Sequence, residues 1–118
     1  MSTLAVALTG NPNTGKSTIF NALTGARQKI GNWPGVTVDK KIGHTHYKGR
    51  AISIVDLPGT YSINARSPEE KIVIDYLTNT KLDLVLNVVD SSNIERNLFL
   101  TVQLLEKGIP LLIDLNMQ

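Results

Sequence analysis

Eight residues near the start of the chain, from Gly10 to Ser17, have the spacing of a phosphate-binding loop. They read GNPNTGKS, fit G-x-x-x-x-G-K-[ST], and lie between an apolar run and a helical pattern. The glycines let backbone N–H groups point inward around a polyphosphate, at the positive end of the following helix. Lys16 would serve the β and γ phosphates, and Ser17 would offer its hydroxyl to Mg²⁺. We therefore expect a nucleotide site formed by Gly10, Asn11, Pro12, Asn13, Thr14, Gly15, Lys16, Ser17 and Thr18.

A second motif, Asp56-Leu57-Pro58-Gly59, ends an apolar run about forty residues further on. A carboxylate at Asp56 can hold Mg²⁺ through water, and the Gly59 amide can approach a γ-phosphate. The same four residues are also an ordinary turn sequence. Because the motif follows a phosphate-binding loop at this spacing, we interpret it as the second half of the nucleotide site.

The stretch GNWPGVTV, residues 31–38, separates the two motifs and carries the chain's single tryptophan. Pro34 and the glycines argue against a helix, and Trp33 has little obvious core to enter. A nucleotide switch needs a loop hydroxyl and carbonyl that reach Mg²⁺ and the γ-phosphate only while that phosphate is present. Thr37 lies where such a loop belongs, whereas its rival Thr45 lies in a strand-like His-Thr-His run. We expect a mobile loop in which Gly35, Val36 and Thr37 contact the nucleotide.

Short apolar runs alternate with helical patterns, which predicts an α/β fold with a mostly parallel sheet. Two antiparallel strands should meet at a turn at Lys48-Gly49. Ser67, Pro68 and Glu70 have the pattern of a helix start with a capping box. Five strands are expected. One covers residues 4–8, and two lie on either side of the Lys48-Gly49 turn, the second of them from Ala51 to Leu57. The last two cover residues 82–90 and 109–116. A last helix, followed by Gly108, carries Ile94, Leu98, Val102 and Leu105 at helical spacing.

The composition limits the chain to one small domain that is soluble as it stands. It has 118 residues, 42% of them hydrophobic and 5% aromatic, so the core should be aliphatic. A net charge of +2 is too weak and scattered to indicate nucleic-acid binding by charge alone. There is no cysteine, which excludes disulfides and thiolate metal sites. We see neither a signal peptide nor an apolar run long enough for a membrane span.

Together these segments resemble the G domain that begins the ferrous iron transport protein B family of bacteria and archaea. The resemblance runs from about Leu4 to Met117 and rests on GNPNTGKSTIFNALTG, GNWPGVTVDKK, DLPGTYS, SPEE, NVVDSSNIERNLFLT and GIPLLIDLNM. It implies a three-layer P-loop NTPase fold like that of small GTPases. It also implies a GTP-hydrolysing regulatory domain at the cytoplasmic face of the inner membrane. In that family the partners are GTP or GDP and the helical and membrane permease domains further along the same protein.

The resemblance also implies catalytic roles for Lys16, Thr37, Gly59 and Asn13. Members of the family use K⁺ as an activating ion, and the matching ligands are the Asn13 side chain and the carbonyls of Gly31 and Trp33. Mg²⁺ would be held by Ser17, Thr37 and Asp56. Many GTPases place a water-orienting glutamine after the glycine of D-x-x-G, but Thr60 stands there. We therefore expect slow intrinsic hydrolysis.

Guanine specificity in G domains comes largely from N-[KM]-x-D, and the chain stops within that motif at Asn116-Met117-Gln118. We expect a truncated domain that lacks its C-terminal strand and helix and binds guanine nucleotides weakly or not at all, with Asn116 contributing to the base side of the site. The exposed strand edge from Pro110 to Asn116 would favour homo-oligomers.

Two other functions remain open from the residues. One is a ribosome- or tRNA-associated GTPase. Such a protein would lack the GNWPGVTV loop, so we expect no nucleic-acid partner for this chain. The other is a fragment that no longer binds nucleotide. His44 and His46 share a strand face but lack a third ligand, so we expect no metal site there. Asp90 should end its strand and help to cap the next helix.

Overall fold

The computed structural model describes residues 3–116, which form a six-stranded sheet with helices on both faces. The strand order is β2-β3-β4-β1-β5-β6, in which β4, β1, β5 and β6 are parallel and β3 pairs antiparallel with both of its neighbours, β2 and β4. This confirms the predicted α/β fold with a mostly parallel sheet. In chain order the elements are β1 Leu4–Gly10, α1 Lys16–Thr24, β2 Gln28–Asn32, β3 Asp39–Tyr47, β4 Arg50–Asp56, α2 Pro68–Asn79, β5 Leu84–Asp90, a 3₁₀ turn Ser91–Asn93, α3 Ile94–Glu106 and β6 Leu111–Asn116.

The expectation of five strands is wrong by one, because β2 also belongs to the sheet. Its residues QKIGN lack an alternating apolar pattern, and four of the five are exposed. The strand lies at the sheet edge and pairs only with β3, from Gln28 opposite Gly43 to Asn32 opposite Asp39. Backbone hydrogen bonds rather than side-chain burial hold it, so hydrophobic periodicity gives no signal for it.

The parallel strands bring the two sequence motifs together. β1 lies between β4 and β5 in the middle of the sheet, and Leu8 is opposite Asp56 in the register. Since parallel strands end at the same edge of a sheet, the loop after Gly10 and the loop after Asp56 emerge side by side. This shared edge is where the motif residues meet.

Each face of the sheet has its own apolar core. On one face α2 and α3 cover a cluster that includes Ala7, Val85 and Leu100. On the other face α1 contributes Phe20, which packs with Leu8, Ile54 and Val88. Phe20 is 1% exposed, whereas Leu23 on the same helix is 43% exposed. Phe20 is therefore the large apolar side chain by which α1 is anchored to the sheet.

The start of α2 follows the predicted capping pattern only in part. Ser67 is the N-cap, its hydroxyl accepts a hydrogen bond from the Glu70 amide at 3.1 Å, and Pro68 takes the first turn. The Glu70 carboxylate does not return to the Ser67 amide. It instead accepts hydrogen bonds from the segment just before the helix: Ser62 Oγ at 3.0 Å, the Asn64 amide at 3.1 Å and the Arg66 amide at 3.3 Å.

The apolar stripe that reveals α3 in the sequence is not the face that α3 buries. The buried residues of α3 are Asn97, Leu100, Thr101 and Leu104. The stripe of Ile94, Leu98, Val102 and Leu105 is 38–55% exposed. Gly108 follows the helix in a left-handed conformation, with φ at 71°. Helical spacing therefore located this helix correctly but did not identify its packing face.

Asp90 ends β5 as predicted and caps the turn that leads to α3. Its carboxylate accepts hydrogen bonds from the Ser92 amide at 3.0 Å and from the Ser92 hydroxyl at 2.7 Å, and these bonds lower the pKa of Asp90. At the sheet edge opposite β2, the strand predicted within Pro110 to Asn116 is present as β6, Leu111–Asn116. Within residues 3–116, no helix is both long and apolar enough to cross a membrane.

Candidate functional site

The loop between β1 and α1 has the backbone of an anion cradle. Asn13 and Gly15 adopt left-handed conformations, with φ at 64° and 84°, which turn the chain sharply before the helix. Gly15 is the N-cap of α1, and no side chain caps the helix there. Amide groups of the first turn are therefore free to bind an anion at the positive end of the helix dipole.

A cavity of about 350 Å³ opens over this loop. It is lined by Asn11, Pro12, Asn13, Thr14, Gly15, Lys16, Ser17 and Gly59. Seven of these eight residues come from the first motif and one from the second. Of the other predicted residues in the two motifs, Gly10 precedes the cavity at the end of β1, and Thr18 is exposed on α1. The cavity is open to solvent beside the uncapped first turn of α1, where a charged ligand could enter.

Lys16 and Asp56 form an ion pair beside this cavity. Their side chains are 11% and 8% exposed, so both charges lie largely out of water. A buried charge without a partner costs several kcal/mol, on the order of 3–5 when one member of a pair is removed. Each group therefore neutralises the other. A phosphate could replace Asp56 as the partner of Lys16, and a cation could replace Lys16 as the partner of Asp56.

The segment after Asp56 is held against the phosphate-binding loop. The Leu57 amide donates to the Leu8 carbonyl and the Thr60 amide to the Gly10 carbonyl, both at 3.0 Å. A Cβ added to Gly59 would lie 3.0 Å from Pro12 Cα, so only glycine fits this approach without displacing the backbone. Leu57 is fully buried in the core and Pro58 is partly buried, so any ligand contact of Leu57 would be through its backbone.

Thr60 cannot replace the water-orienting glutamine from this position. Its side chain is only 4% exposed, and its amide is already bonded to Gly10. The Gly59 amide, by contrast, belongs to a residue that lines the cavity. Any orientation of an attacking water by this segment would therefore come from Gly59.

Trp33 packs into the domain in this structure, although its own segment offers it little core. It is 7% exposed and belongs to the core cluster under α2. Its ring meets Tyr76 edge to face at 5.6 Å between centroids, and Lys40 Nζ lies 4.6 Å from its centroid. The indole Nε1–H is buried without a hydrogen-bond partner among the described residues. The core that receives Trp33 includes Tyr76 on α2, a helix that lies far from Trp33 along the chain.

The rest of this loop lies apart from the cavity over the phosphate-binding loop. The Trp33 amide donates to the Val38 carbonyl at 2.9 Å, which closes residues 33–38 into a short turn with Gly35 at φ 76°. Val36 faces α2 in a separate groove together with Pro34 and Ile72. Gly31, Trp33, Gly35, Val36 and Thr37 are absent from the lining of the cavity. Their nucleotide and cation contacts stay predictions.

Asn116, at the end of β6, touches the phosphate-binding loop. Its Nδ2 donates to the Thr14 carbonyl at 2.7 Å, and its own carbonyl accepts from Ser91 Oγ at 3.3 Å. These bonds connect the end of β6 to the middle of the cradle. Met117 and Gln118, which follow Asn116 in the predicted base-side segment, lie outside the described residues.

The histidine pair does not form part of a larger metal site. His46 Nδ1 lies 3.4 Å from Arg27 Nη1, a neighbour that is itself cationic. Over the described range, residues 3–116, no group of three or more His, Asp or Glu side chains is placed to hold a metal ion.

Two contacts near the site had no signal in the sequence analysis. Arg96, in the first turn of α3, lies with its Cζ 4.0 Å from the centroid of the Tyr61 ring. Glu70 ties down the segment between Gly59 and α2, as described above. In each contact the two partners lie on different elements, so the spacing of residues along the chain does not reveal the pair.

Comparison with known proteins gives consistent matches over nearly the whole chain. The family model described as Ferrous iron transport protein B matches residues 4–118. The Fe(2+) transporter FeoB of Methanocaldococcus jannaschii is 58% identical over 108 residues, which are 92% of this chain and 16% of that protein. The chain therefore spans only a small part of the length of such relatives.

Solved structures of similar proteins share this fold. The cytosolic domain of the T. maritima FeoB iron transporter in its apo form superposes with a TM-score of 0.93 at 48% identity, covering 97% of this chain and 45% of that one. A mutant of S. thermophilus NFeoB bound to mGDP gives a TM-score of 0.90 at 52% identity, covering 97% and 44%. These matches confirm the predicted P-loop GTPase fold and the family resemblance.

Proposed function

The chain belongs to the ferrous iron transport protein B family as its G domain, and we propose that it binds and hydrolyses GTP to regulate iron(II) transport by a longer membrane protein. The observation that carries the proposal is the cavity over Asn11–Ser17, with Gly59 at its rim and the Lys16–Asp56 pair beside it. A nucleotide bound to a similar structure, the S. thermophilus mutant with mGDP, adds support.

The residues of the cradle fit a polyphosphate. The uncapped first turn of α1 and the left-handed Gly15 direct amide donors toward an anion. Lys16 would turn from Asp56 to the phosphates. A cation would then pair with the carboxylate of Asp56. Since both charges change partners in the same event, neither is left buried and unpaired.

The residues also fit the expected Mg²⁺ site in part. Ser17 offers an exposed hydroxyl at the cavity, and Asp56 offers a carboxylate at the end of β4. Thr37 would join them only after the loop after β2 moves toward the phosphates, which is the behaviour of a switch. Hydroxyl and carboxylate oxygens are the ligands that Mg²⁺ prefers.

For K⁺, Asn13 is the best-supported ligand, because its side chain is exposed where the cradle turns. The Trp33 carbonyl accepts a hydrogen bond from the Val36 amide at 3.3 Å and keeps a second lone pair. Gly31 is exposed on β2. When bound, Mg²⁺ and K⁺ would neutralise the charge that develops on the phosphates during hydrolysis. The Gly59 amide would hold the γ-phosphate or the attacking water.

The test is GTP hydrolysis by the full-length natural chain with Mg²⁺, in potassium and in sodium buffer. We expect slow turnover that is faster in potassium, and an Asn13→Ala variant that turns over equally in both. Asn79→Ala, which changes an exposed asparagine at the far end of α2, should keep the potassium effect. Equal rates for the parent in both buffers would remove K⁺ from the mechanism, and no hydrolysis in either would overturn the proposed function.

A further inference from the structure

The stacked pair of Tyr61 and Arg96 lies outside the lining of the cavity over α1 but lines a smaller cavity, of about 170 Å³, on the other side of Asn11–Thr14. Tyr61 comes two residues after Gly59, and Arg96 lies in the first turn of α3. The guanidinium carbon is 4.0 Å from the ring centroid, which is the geometry of a cation–π contact. Tyr61 is 40% exposed and belongs to neither apolar core cluster, so among the described residues the Arg96 contact is the one cation–π or aromatic contact of its ring.

The backbone of Arg96 is itself fixed to the phosphate-binding loop. Asn11, which is 3% exposed, donates from Nδ2 to the Arg96 carbonyl at 3.3 Å. The neighbouring Asn97 accepts from the Asp90 amide at 3.0 Å and donates to the Asn93 carbonyl at 2.8 Å. The first turn of α3 is therefore bonded both to the loop before α1 and to the end of β5. The guanidinium of Arg96 extends from a fixed point.

The short segment Gly59–Tyr61 is held at two places. Its middle residue donates its amide to the Gly10 carbonyl at 3.0 Å. Its last residue is held by Arg96. Gly59 lies against Pro12 with no room for a Cβ. Without the Arg96 contact, the Thr60–Gly10 hydrogen bond would be the remaining hydrogen-bond tie of this segment to the cradle, so the Gly59 amide would be held less firmly relative to it.

We infer that Arg96 is a positioning residue for GTP hydrolysis, which holds Tyr61 and through it the Gly59 amide at the edge of the phosphate cradle. The inference rests on the proposed function. Arg96 lines the small cavity beside Asn11–Thr14 and not the one over Lys16 and Ser17, so it should affect the rate of hydrolysis more than the affinity for nucleotide. The contact with Arg96 is made by the aromatic face of Tyr61 and not by its hydroxyl.

The experiment measures kcat and KM for GTP in variants of the full-length natural chain with Mg²⁺ and potassium. Arg96→Gln and Tyr61→Leu should each lower kcat two- to fivefold, which corresponds to about 0.5–1 kcal/mol for an exposed cation–π contact, with KM nearly unchanged. Tyr61→Phe should retain the parent kcat. The double variant Tyr61→Leu/Arg96→Gln should be no slower than the slower single variant, because both remove one contact.

A matched control comes from the other exposed tyrosine–cation pair, Tyr47 with Lys48 at 5.5 Å. Tyr47→Leu lies at the β3–β4 turn, far along the sheet from the cradle, and should leave kcat unchanged. Hydrogen exchange gives a second readout that does not need hydrolysis: the Thr60 amide should exchange two- to fivefold faster in Arg96→Gln than in the parent.

The outcomes separate this inference from the proposed function. An active parent with an unchanged kcat and unchanged Thr60 exchange in Arg96→Gln overturns the inference alone. So does a Tyr61→Phe variant as slow as Tyr61→Leu, or a rise in KM without a fall in kcat. A parent that hydrolyses no GTP overturns the proposed function, and this positioning role with it.

Discussion

Replacement of Trp33 tests how the loop between β2 and β3 is held on the domain. The indole is 93% buried against α2, yet its Nε1–H has no partner among the described residues. Truncating a buried tryptophan to alanine costs about 3–5 kcal/mol. A buried N–H without an acceptor costs about 1–3 kcal/mol, and this cost disappears with the indole. Trp33→Ala should therefore destabilise the chain by a net amount of about 2 kcal/mol.

Trp33→Phe separates the two terms. The smaller ring keeps the edge-to-face contact with Tyr76 and removes the unpartnered N–H. It forfeits about 1–2 kcal/mol of burial but relieves about 1–3 kcal/mol of desolvation. The free energy of unfolding should therefore stay within about 1 kcal/mol of the parent.

The assay is urea unfolding of the 118-residue chain followed by far-UV circular dichroism, which does not depend on the tryptophan. Phe99→Ala is the control, because Phe99 is 56% exposed and its loss should change stability by less than about 0.5 kcal/mol. If Trp33→Phe destabilises the chain as much as Trp33→Ala, the indole N–H makes a favourable bond and the reasoning fails.

Three further predictions concern single residues, each measured by unfolding of the same chain. Gly10→Ala should cost about 1–3 kcal/mol or more, because its Cβ would lie 2.8 Å from a main-chain oxygen of β5, whereas Gly31→Ala meets nothing within 4 Å and should be tolerated. Glu70→Ala should cost about 1.5–3 kcal/mol by freeing the segment before α2, and an equal loss in Glu69→Ala would refute that role. Burial raises the pKa of Tyr76 above 10.0, so the stability it contributes is present below pH 10 and falls as the pH rises further. A parent and a Tyr76→Phe variant that lose stability equally above pH 10 would contradict this assignment.

The sequence was sufficient for features that depend on local chemistry. The phosphate-binding loop needs particular residue types at fixed spacing, and Asp56 needs only to end a strand next to β1. Ser67 and Asp90 are caps whose partners lie within three residues. The loop between β1 and α1 and the two caps were located correctly because the groups concerned are neighbours along the chain, whereas phosphate binding by that loop stays a prediction.

Features that depend on distant partners were missed or misread. Trp33 looked exposed because its local segment has no core, but Tyr76 on α2 supplies one. β2 has no side-chain pattern because only backbone pairing with β3 holds it. The contact between Tyr61 and Arg96 joins a loop to a helix and could not be read from spacing.

The most direct test of the account is the affinity of Lys16→Ala for GTP, measured by calorimetry in the full-length natural chain. A hydrogen bond to a charged group contributes about 1.5–3 kcal/mol, so the dissociation constant should rise about ten- to a hundredfold. Lys48→Ala removes the same charge at the β3–β4 turn and should leave affinity unchanged. If the Lys16→Ala protein holds GTP as tightly as the parent, the cavity at the start of α1 is not where the phosphates bind.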